Sequence, residues 1–201
     1  MAKLYFKYGA MGSSKTAQAL ITKFNYEEKG MRVLLLKPAV DTRDGKTVVK
    51  SRIGLQSEAL VFQKNENLYD KIRYNDIARY PDAVIIDEAQ FLTRKQVEQL
   101  RDAVDKDNIS VLCFGLRTDF QLKLFEGSKA LFELAENISE IKSVCGCGNK
   151  ASVNARIDRD GKIITDGEQV EIGGNDKYVS MCYKCYNAKL ASNRRKSNVI
   201  L

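Results

Sequence analysis

Residues Gly9-Ala10-Met11-Gly12-Ser13-Ser14-Lys15-Thr16 follow the short apolar run Leu4-Tyr5-Phe6-Lys7-Tyr8 and open a segment with helical spacing. Strand, small flexible residues, then Lys-Thr at a helix start is the layout of a phosphate-binding loop. In such a loop the backbone N–H groups point inward at phosphate oxygens, and the positive end of the helix dipole adds to them. On that reading Lys15 reaches the outer phosphates and the Thr16 hydroxyl ligates Mg²⁺. Ser14 stands where the pattern has its second glycine. Its Cβ leaves two possibilities: a backbone that avoids positive φ, or strain that the loop tolerates. The alternative for the whole stretch is an ordinary strand-turn-helix junction with a chance Lys-Thr pair.

Ala83-Val84-Ile85-Ile86-Asp87-Glu88 is a continuous apolar run that ends in two carboxylates. Unalternating apolar residues suit a strand buried on both faces of a parallel sheet. Its carboxylates then lie at the edge where ligands bind in open α/β folds. There Asp87 can hold a nucleotide's Mg²⁺, usually through water. A solvated loop start would also accept Asp-Glu, but it has no need of four β-favouring residues before it. Loop and acidic strand end together predict a Mg-nucleotide site.

Strand-like and helix-like segments alternate to about residue 144. Ala17, Leu20, Ile21 and Phe24 recur at helical spacing, with Gly30 placed to end that helix. Arg32 to Leu36 reads as a buried strand ended by Pro38, and Asp41 to Gly54 as a polar, basic loop reaching over a site. Helices are expected over Tyr69–Tyr80, Thr93–Val104 and Ser128–Ala135; Thr93 and Gln96 have the spacing of a capping box. Val111 to Phe114 is another apolar strand, with Cys113 in the core. Such alternation implies an α/β fold, a parallel sheet with helices on both faces.

Beyond Lys142 the texture changes. Cys145-Gly146-Cys147 lies 34 residues before Cys182-Tyr183-Lys184-Cys185. Two close cysteine pairs around a hairpin-sized insert read as a four-thiolate zinc site. The second pair has ideal CxxC spacing; the first, with one residue between its sulfurs, is tighter than usual. With four cysteines the zinc is structural, leaving no open position for a substrate. The insert from Gly148 to Met181 contains the turn signals Asp160-Gly161 and Gly173-Gly174-Asn175-Asp176. A long segment clamped at its base in this way is stiffened so that its tip can cover something. The expected division is residues 1–141 as a P-loop ATP-binding α/β domain, 142–190 as a small zinc-binding, β-rich lasso domain, and 191–201 as a polar tail.

Composition sets the outer limits. The chain of 201 residues is 44% hydrophobic and 29% charged, a globular balance with ample length for a core. No apolar stretch approaches the roughly 20 residues that span a bilayer. Met1-Ala2-Lys3-Leu4 runs straight into the first strand and leaves no room for a signal peptide, so a cytoplasmic protein is expected. A reducing cytoplasm also disfavours disulfides as the reading of the cysteine pairs. Net charge is +7, from 33 basic and 26 acidic residues. Those charges are mostly interspersed; the clearest cluster, Arg194-Arg195-Lys196, lies in the tail, and no nucleic-acid partner is expected. Binding an anionic nucleotide accounts for part of the basic excess. There is no histidine, which excludes imidazole as base, nucleophile or metal ligand. General-base work must fall to a carboxylate, Lys, Tyr or Cys.

Together these pieces resemble the cytoplasmic, tetrameric, zinc-containing class of thymidine kinases over approximately residues 3 to 190. The marks are the GAMGSSKT loop, Asp41-Thr42-Arg43, Ser51-Arg52-Ile53-Gly54, Asp87-Glu88-Ala89-Gln90-Phe91, Gly115-Leu116-Arg117-Thr118-Asp119-Phe120, the cysteine pairs, and Ile172-Gly173-Gly174-Asn175-Asp176-Lys177-Tyr178. The resemblance implies transfer of the γ-phosphoryl of ATP to the 5′-hydroxyl of thymidine, and of deoxyuridine, with Mg²⁺. It also implies a RecA-like core with a zinc-held lasso over the nucleoside, a homotetramer, and feedback inhibition by thymidine triphosphate (dTTP). It puts Glu88 in the catalytic-base position, next to the Mg-linked Asp87. Met11, Phe91, Leu116, Phe120 and Phe125 match the lining of the thymine pocket. Ile172 and Tyr178 fall in the lasso segment that meets the base edge, and Arg43 and Arg52 are candidates for stabilising phosphate charge. Plainer roles compete for some of these: Phe120 and Phe125 as core aromatics, Tyr178 as hairpin packing.

Two other functions are compatible with an Asp-Glu strand end. In a nucleic-acid-dependent ATPase the Glu would activate water and the zinc ribbon would grip DNA or RNA. That reading lacks a recognisable arginine-rich motor segment. A catalytically dead nucleotide-binding regulator is the other; Lys15, Thr16, Asp87 and Glu88 are all present against it.

Overall fold

The four apolar runs read as buried strands lie side by side. They are β1 (Leu4–Tyr8), β2 (Val33–Pro38), β6 (Ala83–Ile86) and β7 (Ser110–Gly115). With β5 (Leu60–Phe62) and β8 (Asn137–Glu140) they form a six-stranded, wholly parallel sheet in the order β5-β2-β6-β7-β1-β8. The computed structural model describes residues 1–75, 80–169 and 177–197, with side chains to 193.

Successive residues of a strand point to opposite faces. Val84 and Ile86 enter one apolar cluster while Ala83 and Ile85 enter the other, and Val111/Cys113 and Leu112/Phe114 divide in the same way. Because helices cover both faces, neither set is left for water, and the runs do not alternate in polarity. One face packs on α2 (Leu68–Tyr74), α3 (Arg94–Asp107) and α4 (Glu126–Leu134), through Leu68, Ile72, Val97, Leu100, Val104, Ala130 and Leu131. The other packs on α1 (Lys15–Glu27) through Ala19 and Leu20. Cys113 is fully buried in the first cluster, as expected, and burial raises its thiol pKa.

Local signals act as the sequence suggests. The capping box at α3 is complete: Thr93 Oγ1 accepts from the Gln96 N–H at 3.2 Å, and Gln96 Oε1 accepts from the Thr93 N–H at 3.1 Å. After α1, Gly30 at φ +73 lets the Met31 N–H reach back to the Tyr26 carbonyl. The helix expected over Tyr69–Tyr80 is α2 as far as Tyr74; residues 76–79 lie outside the described residues. The stretch Asp41–Gly54, read as a loop, is only partly one. Within it β3 (Val48–Lys50) pairs with β4 (Gln56–Glu58) as an antiparallel hairpin, because Val49 finds a place in the core beside α1.

The smaller part follows β8. Here β9 (Ser143–Val144) pairs with β10 (Lys150–Ala151), and β11 (Val153–Ile157) lies between β12 (Ile163–Ile164) and β13 (Tyr178–Met181). The last element among the described residues is the helix α5 (Tyr183–Ser197). Ala151, Val153, Ala155, Ile163, Met181 and Tyr186 form its apolar centre, contiguous with Cys145 and Cys182. The Asp160-Gly161 signal sits in a longer turn over 158–162, in which Asp158 Oδ1 accepts the N–H groups of Asp160 and Lys162. Residues 170–176, which carry the Gly173-Gly174 signal, and 198–201 of the tail lie outside the described residues. No helix among the described residues is long and apolar enough to cross a membrane.

Candidate active site

Parallel strands deliver their C-terminal ends to one edge of the sheet, so the segments after β1, β2, β6 and β7 meet there. They enclose a cleft of about 530 Å³. The first wall is the loop from Gly9 to Ser14. A Cβ on Gly9 would stand 2.3 Å from Ser13 Oγ and 2.5 Å from the Ile141 carbonyl, so this position needs glycine. Ser14 has φ 63 and ψ 26. Of the two possibilities the sequence leaves, the loop therefore takes strain, in a left-handed conformation that costs a non-glycine residue on the order of 1 kcal/mol. Lys15 Nζ donates to the carbonyls of Ala10 (2.8 Å) and Gly9 (3.3 Å) and to Ser13 Oγ (3.3 Å). Burial lowers its pKa to about 8, against the pull of Glu88 and Asp87.

The opposite wall is the acidic end of β6. Thr16 Oγ1 donates to Asp87 Oδ2 at 3.0 Å, joining the two candidate Mg²⁺ ligands. Burial, and then the charge of Glu88, push Asp87 up to about 7. A group of that kind favours a cation beside it. Glu88 has φ 52 and begins a single 3-10 turn over Ala89–Phe91. Its two oxygens have separate partners: Arg43 Nη2 donates to Oε1 and Gln90 Nε2 to Oε2. Gln90 is buried, and its own oxygen accepts the Leu116 N–H at 2.9 Å. The turn itself is pressed against α4, where a Cβ on Gly127 would meet the Leu92 and Ala89 carbonyls at 2.6 and 2.7 Å.

Arg43 is aimed by a buried chain of charges. Its Nε donates to Asp41 Oδ1 at 2.7 Å, and Lys37 Nζ lies 3.5 Å from Asp41 Oδ2. Lys37, 1% exposed, also donates to the carbonyls of Val48 (2.8 Å) and Gly45 (3.2 Å), which pins the segment after β2. The charge of Glu88, with the hydrogen bond to Asp41, raises the Arg43 pKa well above its ordinary value. Burial works the other way at Asp41, but Arg43 and Lys37 hold it below the usual carboxylate range. Arg52 reaches the loop from the hairpin side, its Nη1 3.8 Å from where a Cβ on Gly12 would lie.

The far end of the cleft is apolar. Met11, Phe91, Leu116, Phe120, Phe125 and Tyr178 all line it. Phe91 and Phe125 meet edge to face, their centroids 6.0 Å apart. Phe120 is backed by the Arg156 guanidinium, 5.2 Å from the ring centroid. So the residues expected at the nucleotide and those expected at the nucleoside share one space: Gly12, Ser14, Lys15, Thr16, Arg43, Arg52, Asp87 and Glu88 with the six apolar ones. Gly9, Ala10 and Ser13 do not line it; they shape the loop from behind. Ile172 lies outside the described residues. Sequence reasoning missed Gln90 and Asn154 as site residues. Gln90 left a faint signal, a polar side chain in an otherwise apolar turn, which when buried must find partners. Asn154 left none, because its partner Met11 is 143 residues away.

The four cysteines at 145, 147, 182 and 185 form a separate centre, their sulfurs all within 4.8 Å of one another. The Cys147 and Cys182 sulfurs are 3.6 Å apart; tetrahedral zinc with sulfur ligands at about 2.3 Å needs spacings near that value. The group can hold a metal ion. Asn149 contributes its backbone and its side-chain amide to the Cys147 sulfur, lowering that thiol to about 6. Cys185, hydrogen-bonded to the sulfurs around it, is raised to about 12. Four thiolates this close need a cation to exist together.

Comparison with known proteins gives a single family. The family model described as thymidine kinase matches residues 2–186. The chain is similar to the thymidine kinase of Zymomonas mobilis, 47% identical over 192 residues, which is 96% of this chain and all of the relative. It is 47% identical to that of Photobacterium profundum over 94% of this chain and 99% of the relative. With that of Rhodopirellula baltica the identity is 47% over 90% and 86%.

Proposed function

The chain belongs to the thymidine kinase family of phosphotransferases, and from that premise we propose how its cleft works. ATP binds with its phosphates on the Gly9–Thr16 loop, and Lys15 turns from the loop carbonyls to the outer phosphates. Thr16 and Asp87 would hold Mg²⁺, directly or through water. Bound there, the ion would supply charge neutralisation on the transferring phosphoryl group. Thymidine lies with its base in the apolar slot, among Met11, Phe91, Leu116, Phe120 and Phe125. A flat slot with room for a 5-methyl group prefers thymine and accepts deoxyuridine. Tyr178 and the adjoining lasso, with Ile172, close on the base edge.

Glu88 orients the 5′-hydroxyl and accepts its proton, late in a loose transition state. Arg43 and Arg52 offset phosphate charge. The observation that carries this reading is the placement of Glu88, its two oxygens held by Arg43 and Gln90, between the phosphate loop and the apolar slot. In support of dTTP as inhibitor, the cleft is continuous, so a thymidine with its own triphosphate can occupy both ends. We further take residues 1–141 as the ATP-binding domain and 142–190 as a lasso held by structural zinc, in a reducing cytoplasm. We take the assembly to be a homotetramer, for which Ile21 and Phe24, exposed on α1, offer apolar surface.

Replacement of the base tests the mechanism. Glu88→Gln should lower kcat by about 10²–10⁴-fold, the usual worth of a general base. Its affinity for a non-hydrolysable ATP analogue should stay within about twofold of wild type, since the ATP-holding groups remain. Retained turnover would remove Glu88 from the base role.

A further inference from the structure

Asn154 lies on β11, in the middle of the small antiparallel sheet, between Val153 and Ala155, which are both fully buried. It is the one polar side chain of that sheet to reach the phosphate loop among the contacts described, and it is only 3% exposed. Its Oδ1 accepts the N–H of Met11 at 2.8 Å, and its Nδ2 donates to the carbonyl of Thr118 at 3.1 Å. Both partners are backbone groups with one possible role each, so the orientation of the amide is fixed. Met11 belongs to the phosphate loop and to the apolar slot at once. Thr118 precedes Asp119 and Phe120, and Phe120 lines the slot. On its other side β11 pairs with β13, Asn154 opposite Ser180 and Arg156 opposite Tyr178.

We propose that Asn154 is a positioning residue that couples the two ends of the cleft, so that nucleoside and ATP each tighten the binding of the other. The inference rests on the thymidine kinase reading given above. A nucleoside that draws Tyr178 inward acts on β13, hence on β11, hence on the Met11 N–H beside the ATP phosphates. A second tie runs in parallel, from Gln169 Nε2 to Asp119 Oδ2 at 2.8 Å. Breaking the bond to Thr118 leaves a buried carbonyl unpaired, and breaking the bond to Met11 frees a partly buried N–H, so the two segments move together. The chemistry is specific to a short amide. Aspartate would set a second acceptor against the Thr118 carbonyl, and leucine would satisfy neither partner.

Binding linkage is reciprocal, and typical couplings between sites are about 5–150-fold. Isothermal titration of wild-type protein with an Mg²⁺-bound, non-hydrolysable ATP analogue should show at least about fivefold tighter binding when thymidine is saturating. In Asn154→Ala, with zinc content and melting temperature checked against wild type, that factor should fall below about twofold, a change a merely structural role would not produce. Equal factors in the two proteins, or no factor in wild type, would overturn the proposal. Asn154→Ser, whose hydroxyl is too short to bridge both partners, carries the same comparison if the alanine variant does not fold. Hydrogen exchange in wild type gives an independent reading: thymidine alone should slow exchange in residues 9–14, and unaltered exchange there contradicts the coupling. Wild-type conversion of thymidine to its monophosphate, measured alongside, separates the two levels. Turnover without altered synergy in the variant removes Asn154 only, whereas absence of turnover removes the reading beneath it.

Discussion

Glu88 is held by its backbone as much as by its partners. A φ of 52 costs a non-glycine residue on the order of 1 kcal/mol or more, and it persists only where the surroundings over-determine it. Here the close approach of α4 at Gly127 fixes the turn, and Arg43 and Gln90 hold both carboxylate oxygens. Gln90 is the member without charge and without any contact to the proposed phosphates. Gln90→Met keeps its length and apolar stem but removes both hydrogen bonds, to Glu88 and to the Leu116 N–H. We expect kcat to fall on the order of tenfold to a hundredfold, because a base displaced by about an ångström loses that much. Affinity for the ATP analogue should be unchanged. An unaltered kcat would show that Arg43 alone aims the proposed base. Ser14 makes the same point about strain: the sequence shows a serine at a glycine position, and only the backbone shows that the left-handed conformation is kept.

At the scale of elements, legibility followed the range of the interactions. The strands Val33–Pro38, Ala83–Ile86 and Ser110–Gly115 were readable because burial on both faces writes itself as an unbroken apolar run. The α3 capping box was readable because both partners lie within four residues. The β3–β4 hairpin was not, since its one core residue, Val49, sits among polar neighbours and gives no period. Nor was the Lys37–Asp41–Arg43 chain legible, because a lysine at a strand end is ordinarily solvated and becomes buried only through carbonyls at 45 and 48. The cysteine cluster was legible from spacing alone. Its proposed energetic role belongs to this scale as well: a small sheet with few buried apolar residues would gain stability from an ion held by the four cysteines. Treating the protein with a chelator to remove the proposed zinc should therefore raise the apparent KM for thymidine by about tenfold, through loss of position in the proposed lasso. Unchanged kinetics in protein verified to be metal-free would defeat that expectation.

The whole molecule is a parallel sheet that gathers four loops at one edge and a small antiparallel sheet that leans on them through Asn154 and Gln169. Charge and shape divide the cleft between them, with basic side chains and the carboxylates of Asp87 and Glu88 at one end and aromatic rings at the other. That division separates the proposed kinase from its rival, a nucleic-acid-driven ATPase, which has no use for an enclosed apolar slot. The most direct test is product formation from Mg-ATP with a panel of nucleosides and a single-stranded DNA control. Thymidine monophosphate formed from thymidine, with little product from deoxycytidine or purine nucleosides, is the predicted result. No phosphorylated nucleoside, with ATP hydrolysis that rises on adding DNA, would contradict it.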